Sequence, residues 1–220
     1  MTRRMDKKTV IFFVQRHGQK APGPNDLALL TEEGRKQVMQ SALNNLSGLT
    51  FDALYCSLKF RTLETVVCAT SVLENKNNGK SVITMEGFDY SSAPDLDKFN
   101  DFAAEVKRRS IEENRPINVA LWMMVAPTMI DYMRGQMIVT IKDVAIETVR
   151  NNYDDKNELY VLVGCHSPVS ELACVDLSTM PMLQEADMIK YTVEVDSDNG
   201  WDGAGVFATI ISSEYVPRGF

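Results

Sequence analysis

Histidine is the scarcest of the chemically useful residues in this chain: only two, His17 and His166, stand among 220 residues. Zinc sites of the ordinary kind draw on clustered histidine and cysteine. Here the histidines lie far apart, and Cys56, Cys68, Cys165 and Cys174 form no Cys-x-x-Cys pair. Neither a metal nor a cofactor is expected. The cysteines sit inside apolar stretches, which reads as buried free thiols rather than a disulfide framework. Glycine and proline are few, 12 and 8, so the chain is not of low complexity. No apolar run reaches the roughly 18 residues of a membrane span. The most apolar region, 119–141, is interrupted by Pro127, Asp131, Arg134 and Gly135. Basic blocks are missing beyond Lys107-Arg108-Arg109, and the net charge is −7. A nucleic-acid backbone demands a basic face, so neither nucleic acid nor a membrane is expected as partner. The charged N-terminus is followed by an apolar run, Thr9 to Val14, too short for a secretory h-region. A cytoplasmic protein is expected.

Against roughly 150 residues per domain, the chain reads as a single domain over 1–220, long enough to bury a core without staples. Thr9 to Val14 is continuously apolar and β-rich, which predicts a central strand buried on both faces. Thr31 predicts a helix N-cap, with Glu32 and Glu33 in the first turn and Val38, Ala42, Leu43 and Leu46 on one face. Phe51 to Cys56 predicts a second strand, followed by a helix beginning at Ser57, and Ser81 to Met85 a third strand. Apolar spacing from Leu96 to Glu113, then a Met-rich stretch broken near Pro127, predicts a helical insertion at about 91–152. Leu159 to Val163 predicts a fourth strand, and Pro168 to Leu177 a helix. Two alternating strands, near Ile189 to Val195 and Val206 to Ile211, flank turn residues Asp198-Asn199-Gly200 and Asp202-Gly203. Strands alternating with helices specify an α/β fold, a three-layer sandwich with a mostly parallel central sheet.

Such sheets bind ligands beyond the carboxyl ends of their strands. Both histidines fall at that edge: His17 in Arg16-His17-Gly18 after the first strand, His166 after the fourth. Ser57, Arg61 and Thr65 recur at i, i+4 and i+8, one helical face rising from the same edge. A guanidinium with hydroxyls at a helix start makes an anion site. Singly, each residue has a plainer reading: a satisfied strand-end histidine, a surface ion pair, a helix cap. The combination at one edge favours chemistry.

In these residues the chain resembles the histidine phosphatase superfamily, which includes the phosphoglycerate mutases and many small phosphatases. The resemblance rests on Arg16-His17-Gly18, Leu30-Thr31-x-x-Gly34-Arg35-x-Gln37, Ser57-Leu58-x-x-Arg61-Thr62-x-x-Thr65 and His166-Ser167, in the family's order over most of the chain. It implies a metal-independent phosphoric monoester hydrolase acting through a covalent phosphohistidine on a small phosphorylated substrate or a phosphoprotein. His17 would be the nucleophile, its second ring nitrogen held by an acceptor the sequence does not name. Arg16, Arg61 and a protonated His166 would neutralise the phosphoryl oxygens, with Ser57 and Ser167 completing the phosphate site. Flanking arginines would lower the His17 pKa. The family's proton donor usually follows the third strand; Glu86 is the first choice and Asp89 the alternative. Gln19 stands where the family often has Glu, and the fuller Gly-x-x-Glu-Gly of the mutases is absent.

Two other readings use the same pocket: a phosphoglycerate-mutase-like phosphoryl transferase, and a non-catalytic relative that binds a phosphorylated ligand or scaffolds an assembly. Lys107-Arg108-Arg109 reads as a solvated basic face, and Met123, Met124, Met129, Met133 and Met137 read as core packing beneath a cap, with a substrate-contacting lid as the rival. The substrate is not legible, and the oligomeric state, a homodimer included, is left open.

Overall fold

The computed structural model describes residues 6–73, 77, 79–152, 156–178, 180–197 and 205–219. The expected turn residues at 198–200 and 202–203, like the charged first five residues, lie outside them. Six strands form one sheet: β1 (Asp6–Arg16), β2 (Ala53–Cys56), β3 (Val82–Thr84), β4 (Glu158–Cys165), β5 (Met188–Ser197) and β6 (Val206–Val216). Their spatial order is β3-β2-β4-β1-β5-β6. The β3-β2, β2-β4 and β4-β1 pairs are parallel; β5 runs antiparallel to both β1 and β6. The expected mostly parallel sheet is the one observed, with β1 central.

The pleat of β1 explains the layers. Val10, Phe12 and Val14 point into one core, Ile11 and Phe13 into the other, and all five are buried. A strand apolar on both faces needs cover on both. On the Ile11 side it is supplied by α1 (Glu32–Leu46), through Val38, Ala42 and Leu46, and by α2 (Phe60–Ser71), through Val66 and Ala69. On the Val10 side it comes from the insertion: α3 (Phe99–Glu112), α4 (Val119–Val125) and α5 (Pro127–Asn151). Pro127 opens α5, where its missing N–H costs nothing. Met129, Met133 and Met137 recur every fourth residue along α5 and are fully buried, so they are core. Met123 is half-buried and Met124 exposed. Three cysteines are buried and Cys68 is half-buried, all four as free thiols. Among the described residues, no helix is long and apolar enough to cross a membrane.

Two expected helices differ. The helix after β2 begins at Phe60, not Ser57: the Ser57 N–H bonds Gly164 O across to β4, which holds that residue in the strand-end turn. The expected helix from Pro168 to Leu177 is only a 3-10 turn at Val169–Glu171. Here tertiary bonds take over: the Tyr191 hydroxyl donates to Ser170 O, and Leu183 N–H donates to the Glu171 carboxylate.

Close backbone contacts aim the site loops. A Cβ on Gly18 would lie 2.2 Å from Gly34 O, and one on Gly34 would lie 2.3 Å from Gln19 O. The loop after β1 therefore rests directly on the first turn of α1. Thr31 caps that turn, its hydroxyl accepting from Gly34 N–H at 2.9 Å, a contact worth about 1 kcal/mol. Gly164 does the same for β4: a Cβ there would meet Thr62 O at 2.3 Å.

Candidate active site

Three strand ends deliver the site. β1 ends at Arg16 with His17 next, β2 runs into the turn carrying Ser57, and β4 ends at Cys165 with His166 next. His17 is fixed by backbone first: its N–H donates to Cys165 O at 3.1 Å. Its Nδ1 lies 2.7 Å from Gly18 O. A carbonyl only accepts, so Nδ1 carries the proton and Nε2 keeps its lone pair. Gly18 O is thus the acceptor that the sequence could not name. The His17 and His166 rings meet edge to face, centroids 5.3 Å apart.

The His17 imidazole is pushed down to about 3. Burial is the largest cause, followed by His166, with Arg61 and Arg16 contributing less. The expected effect of the arginines is present but secondary to desolvation. At neutral pH the ring is uncharged.

His166 is 2 % exposed. Its Nδ1 faces Arg61 Nη2 at 3.3 Å, and its Nε2 lies 2.6 Å from Ser57 Oγ and 3.5 Å from Asp89 Oδ2. Arg61 can only donate, so the His166 proton sits on Nε2. The expectation of a protonated His166 is corrected: burial, then Arg61, push it down to about 4 against the pull of Asp89. Positive charge in the site comes from Arg16, Arg61 and Lys59.

Arg61, 3 % exposed, is aimed by Asn25 O at 2.5 Å and touches the Tyr90 hydroxyl at 3.4 Å. Asn25 Nδ2 also donates to that hydroxyl, at 2.8 Å. Arg16 donates to Leu183 O. The Nε atoms of both arginines are buried without a protein partner. Ser57 is fully buried; it holds His166 and Thr62 Oγ1 rather than facing outward. Thr65 Oγ1 bonds back to Arg61 O within α2. Ser167 Oγ donates to Glu171 Oε1 at 2.5 Å.

The two candidate carboxylates, three residues apart, have opposite surroundings. Glu86 is exposed at the start of a 3-10 turn; its carbonyl accepts from Asp89 N–H, and its carboxylate has no hydrogen bond or ion pair among the described residues. The Asp89 side chain is fully buried. Its Oδ1 accepts from Tyr90 N–H, Ser91 N–H and Ser91 Oγ, with Lys59 Nζ 3.5 Å away. Burial works to raise its pKa, but bonds from His166 and Ser91 and the Lys59 charge outweigh it and hold the carboxyl well below the usual range.

Sequence reasoning missed three residues here. Lys59 is 6 % exposed and bonds Asp26 Oδ1 and Ser91 Oγ, both at 2.6 Å. Tyr90 stands edge-on to His166 with centroids 5.3 Å apart. Glu171 is fully buried, and burial pushes it up to about 7. Each acts through loop contacts with no periodic signal; the adjacency of Lys59 to Ser57 and of Tyr90 to Asp89 was the only available clue. Among the described residues, no group of three or more His, Cys, Asp or Glu side chains is placed to hold a metal.

No family model and no curated sequence matches the chain. Solved structures do match its fold. A phosphoglycerate mutase from Bacillus anthracis str. Sterne superposes with a TM-score of 0.61 at 16% identity, covering 94% of this chain and 93% of that one. A mycobacterial hydrolase gives 0.59 at 12% identity, covering 96% and 92%. A mycobacterial glucosyl-3-phosphoglycerate phosphatase gives 0.55 at 12% identity, covering 97% and 99%. The chain therefore has the phosphoglycerate-mutase-like fold, as the histidine phosphatase resemblance implied.

Proposed function

We propose that this chain is a histidine phosphatase, hydrolysing phosphomonoesters through a phosphohistidine on His17. The observation that carries the reading is the state of His17: uncharged, its proton pinned on Nδ1 by Gly18 O, its Nε2 lone pair free, and its ring within the electrostatic reach of buried Arg61 and half-buried Arg16. That is an activated nucleophile within an anion cradle. Phosphoryl transfer asks a protein chiefly for positioning and charge neutralisation, which Arg16 and Arg61 supply.

In the first step His17 Nε2 bonds to phosphorus while the ester P–O bond breaks, and the departing oxygen takes a proton. A dianionic phosphoryl group beside His166 and Asp89 raises the proton affinity of both. The pair, 3.5 Å apart, then holds one proton more than it does alone and can pass it to the leaving oxygen. Asp89, not Glu86, is the carboxylate of this reading. In the second step water attacks phosphorus, the P–N bond breaks, the water's proton returns to the pair, and inorganic phosphate leaves. The mutase-like names among the similar structures make transfer to a second alcohol the natural rival.

The test is phosphate release from an aryl phosphate without added metal. His17→Ala is expected to lose roughly 10⁴-fold or more, the scale of removing a covalent nucleophile. Asp89→Asn is expected to lose about 10²-fold, most on esters with poor leaving groups, while Glu86→Gln stays within about twofold. Turnover that survives His17→Ala overturns the mechanism; isomerised ester without free phosphate assigns transferase activity instead.

A further inference from the structure

A file of aromatic rings leads away from the reaction centre. Tyr90, beside His166 and Arg61, stacks on Phe99 at 5.9 Å, and Phe99 stacks on Trp122 at 5.3 Å. Trp122 opens onto a cleft of about 640 Å³ whose wall includes Arg16, within the size range of small-molecule sites. One side is the insertion, through Val106, Ile117 and Trp122; the other is the segment before β5, through Met182 and Leu183. An antiparallel bridge between Asn118 and Pro181 ties the two sides together. Leu183 O is also the acceptor that holds Arg16. The cleft and the phosphoryl site thus share a residue and a support.

The chemistry of the cleft is one-sided. Besides Arg16, the polar groups that the described residues bring to it are Lys107, Gln184 and the Trp122 indole N–H, which is buried without a partner; the rest of the lining is apolar. Arg108 and Arg109 turn away to pair with Glu105, Arg108 also reaching Glu112; of the three basic residues read as a solvated face, Lys107 alone lines the cleft. A second cavity of about 660 Å³ lies across Tyr90 and Phe99, and there Lys20, Asn25, Asp26 and Lys59 make the lining polar. Asp26 and Lys59 already pair with each other across it.

We propose that the cleft beside Arg16 takes the organic body of the ester, and that the preferred substrates are phosphomonoesters of apolar alcohols, alkyl or aryl, rather than of sugars or small hydroxy acids. The inference rests on the phosphatase reading for the reaction, but not for the binding. An apolar body gains from burial along Val106, Ile117 and Trp122. A sugar would turn most of its hydroxyls toward the apolar wall of Val106, Ile117, Met182 and Leu183 and lose their water there, with few polar groups to replace it.

The experiment uses n-alkylphosphonates, methyl to octyl, which carry the anion and the chain but cannot be hydrolysed. Their affinity, measured by calorimetry, is expected to rise about fourfold per methylene until the cleft is filled. Ile117 is 40% exposed at the rim, so Ile117→Asp keeps the fold, checked by its melting curve, and is expected to flatten that dependence. A chain-length dependence that is absent, or unchanged in Ile117→Asp, overturns the cleft. Tighter binding of glycerol 3-phosphate than of butylphosphonate overturns it as well. Hydrolysis of the matching alkyl phosphates is measured separately. Chain-dependent binding without turnover of any ester would sink the phosphatase reading and leave the cleft standing; turnover indifferent to chain length would do the reverse.

Discussion

The proposed phosphoryl site and the cleft beside it share Arg16 and are built by opposite means. The site gathers buried polar groups on short strand-end loops: His17, His166, Arg61, Lys59 and Asp89 hold one another in place with almost no room for error. The cleft is walled by helices and by a segment near the chain's end, with apolar side chains that could be exchanged for others of similar size. On the proposed reading, exact bond partners fix the reaction, while shape and area set what the reaction is offered, so a change of substrate need not touch the chemistry.

Perturbations should separate the two regions. The largest effect belongs to the site. Arg61→Ala removes a buried donor that also fixes the His166 tautomer, and kcat/KM is expected to fall about 10²–10³-fold, with phosphate inhibition weakened in parallel. If activity falls only a few-fold, the site is less interdependent than its geometry implies. Next comes the insertion's core. Met133→Ala, under α5 and 2 % exposed, is expected to cost about 3 kcal/mol of stability in denaturant unfolding, while the ranking of ester substrates stays as it was. A changed ranking would restore the lid reading of the methionines.

The smallest effect is a pH dependence confined to the site, since the cleft has little to titrate. His17 and His166, pushed down to about 3 and about 4, bind protons in the unfolded chain first. Stability is lost as pH falls below about 6.5. Glu171, pushed up to about 7, works in the other direction: the unfolded chain releases its proton first, so stability falls as pH rises from about 4.5 towards 7. Between pH 5.5 and 6.5 the one carboxyl offsets somewhat more than half of the slope of the two histidines. Glu171→Gln removes the carboxyl's slope, and calorimetry is expected to show the variant's melting temperature dropping by roughly 4–8 °C as pH falls from 6.5 to 5.5, against about half that in the parent chain. Equal slopes would mean that the buried carboxyl is not held neutral.

What was legible in the sequence follows the same division. β1 and β4 announce themselves as apolar runs, and α1 by Thr31 and two glutamates, because burial and capping leave local marks. That Arg16, His17 and His166 gather at one sheet edge was readable from their position after apolar strands, and Arg61 from its helical spacing to Ser57. Asp89 was readable only as an alternative to Glu86, because the choice turns on which of two neighbours in a turn faces inward. Ser57 and Ser167 were readable as hydroxyls near the anion, but not as the partners of His166 and Glu171 that they are. The cleft was least legible of all. Its wall at 181–184 meets α3 and Trp122 only in three dimensions, and nothing periodic marks it.

The contact between Gly18 and Gly34 has a bearing on how this chain can vary. A Cβ on Gly18 would run into the backbone of Gly34, and one on Gly34 into the backbone of Gln19, the residue next to Gly18, with backbone oxygens about 2 Å from where either methyl would go. Most crowded pairs can be relieved by enlarging one member and trimming the other. Here neither has anything to trim, so no compensating exchange exists within the pair. A methyl at either position has to be absorbed by moving the loop, and His17 moves with it. The two glycines form a joint without tolerance, and His17, the proposed nucleophile, is mounted on it.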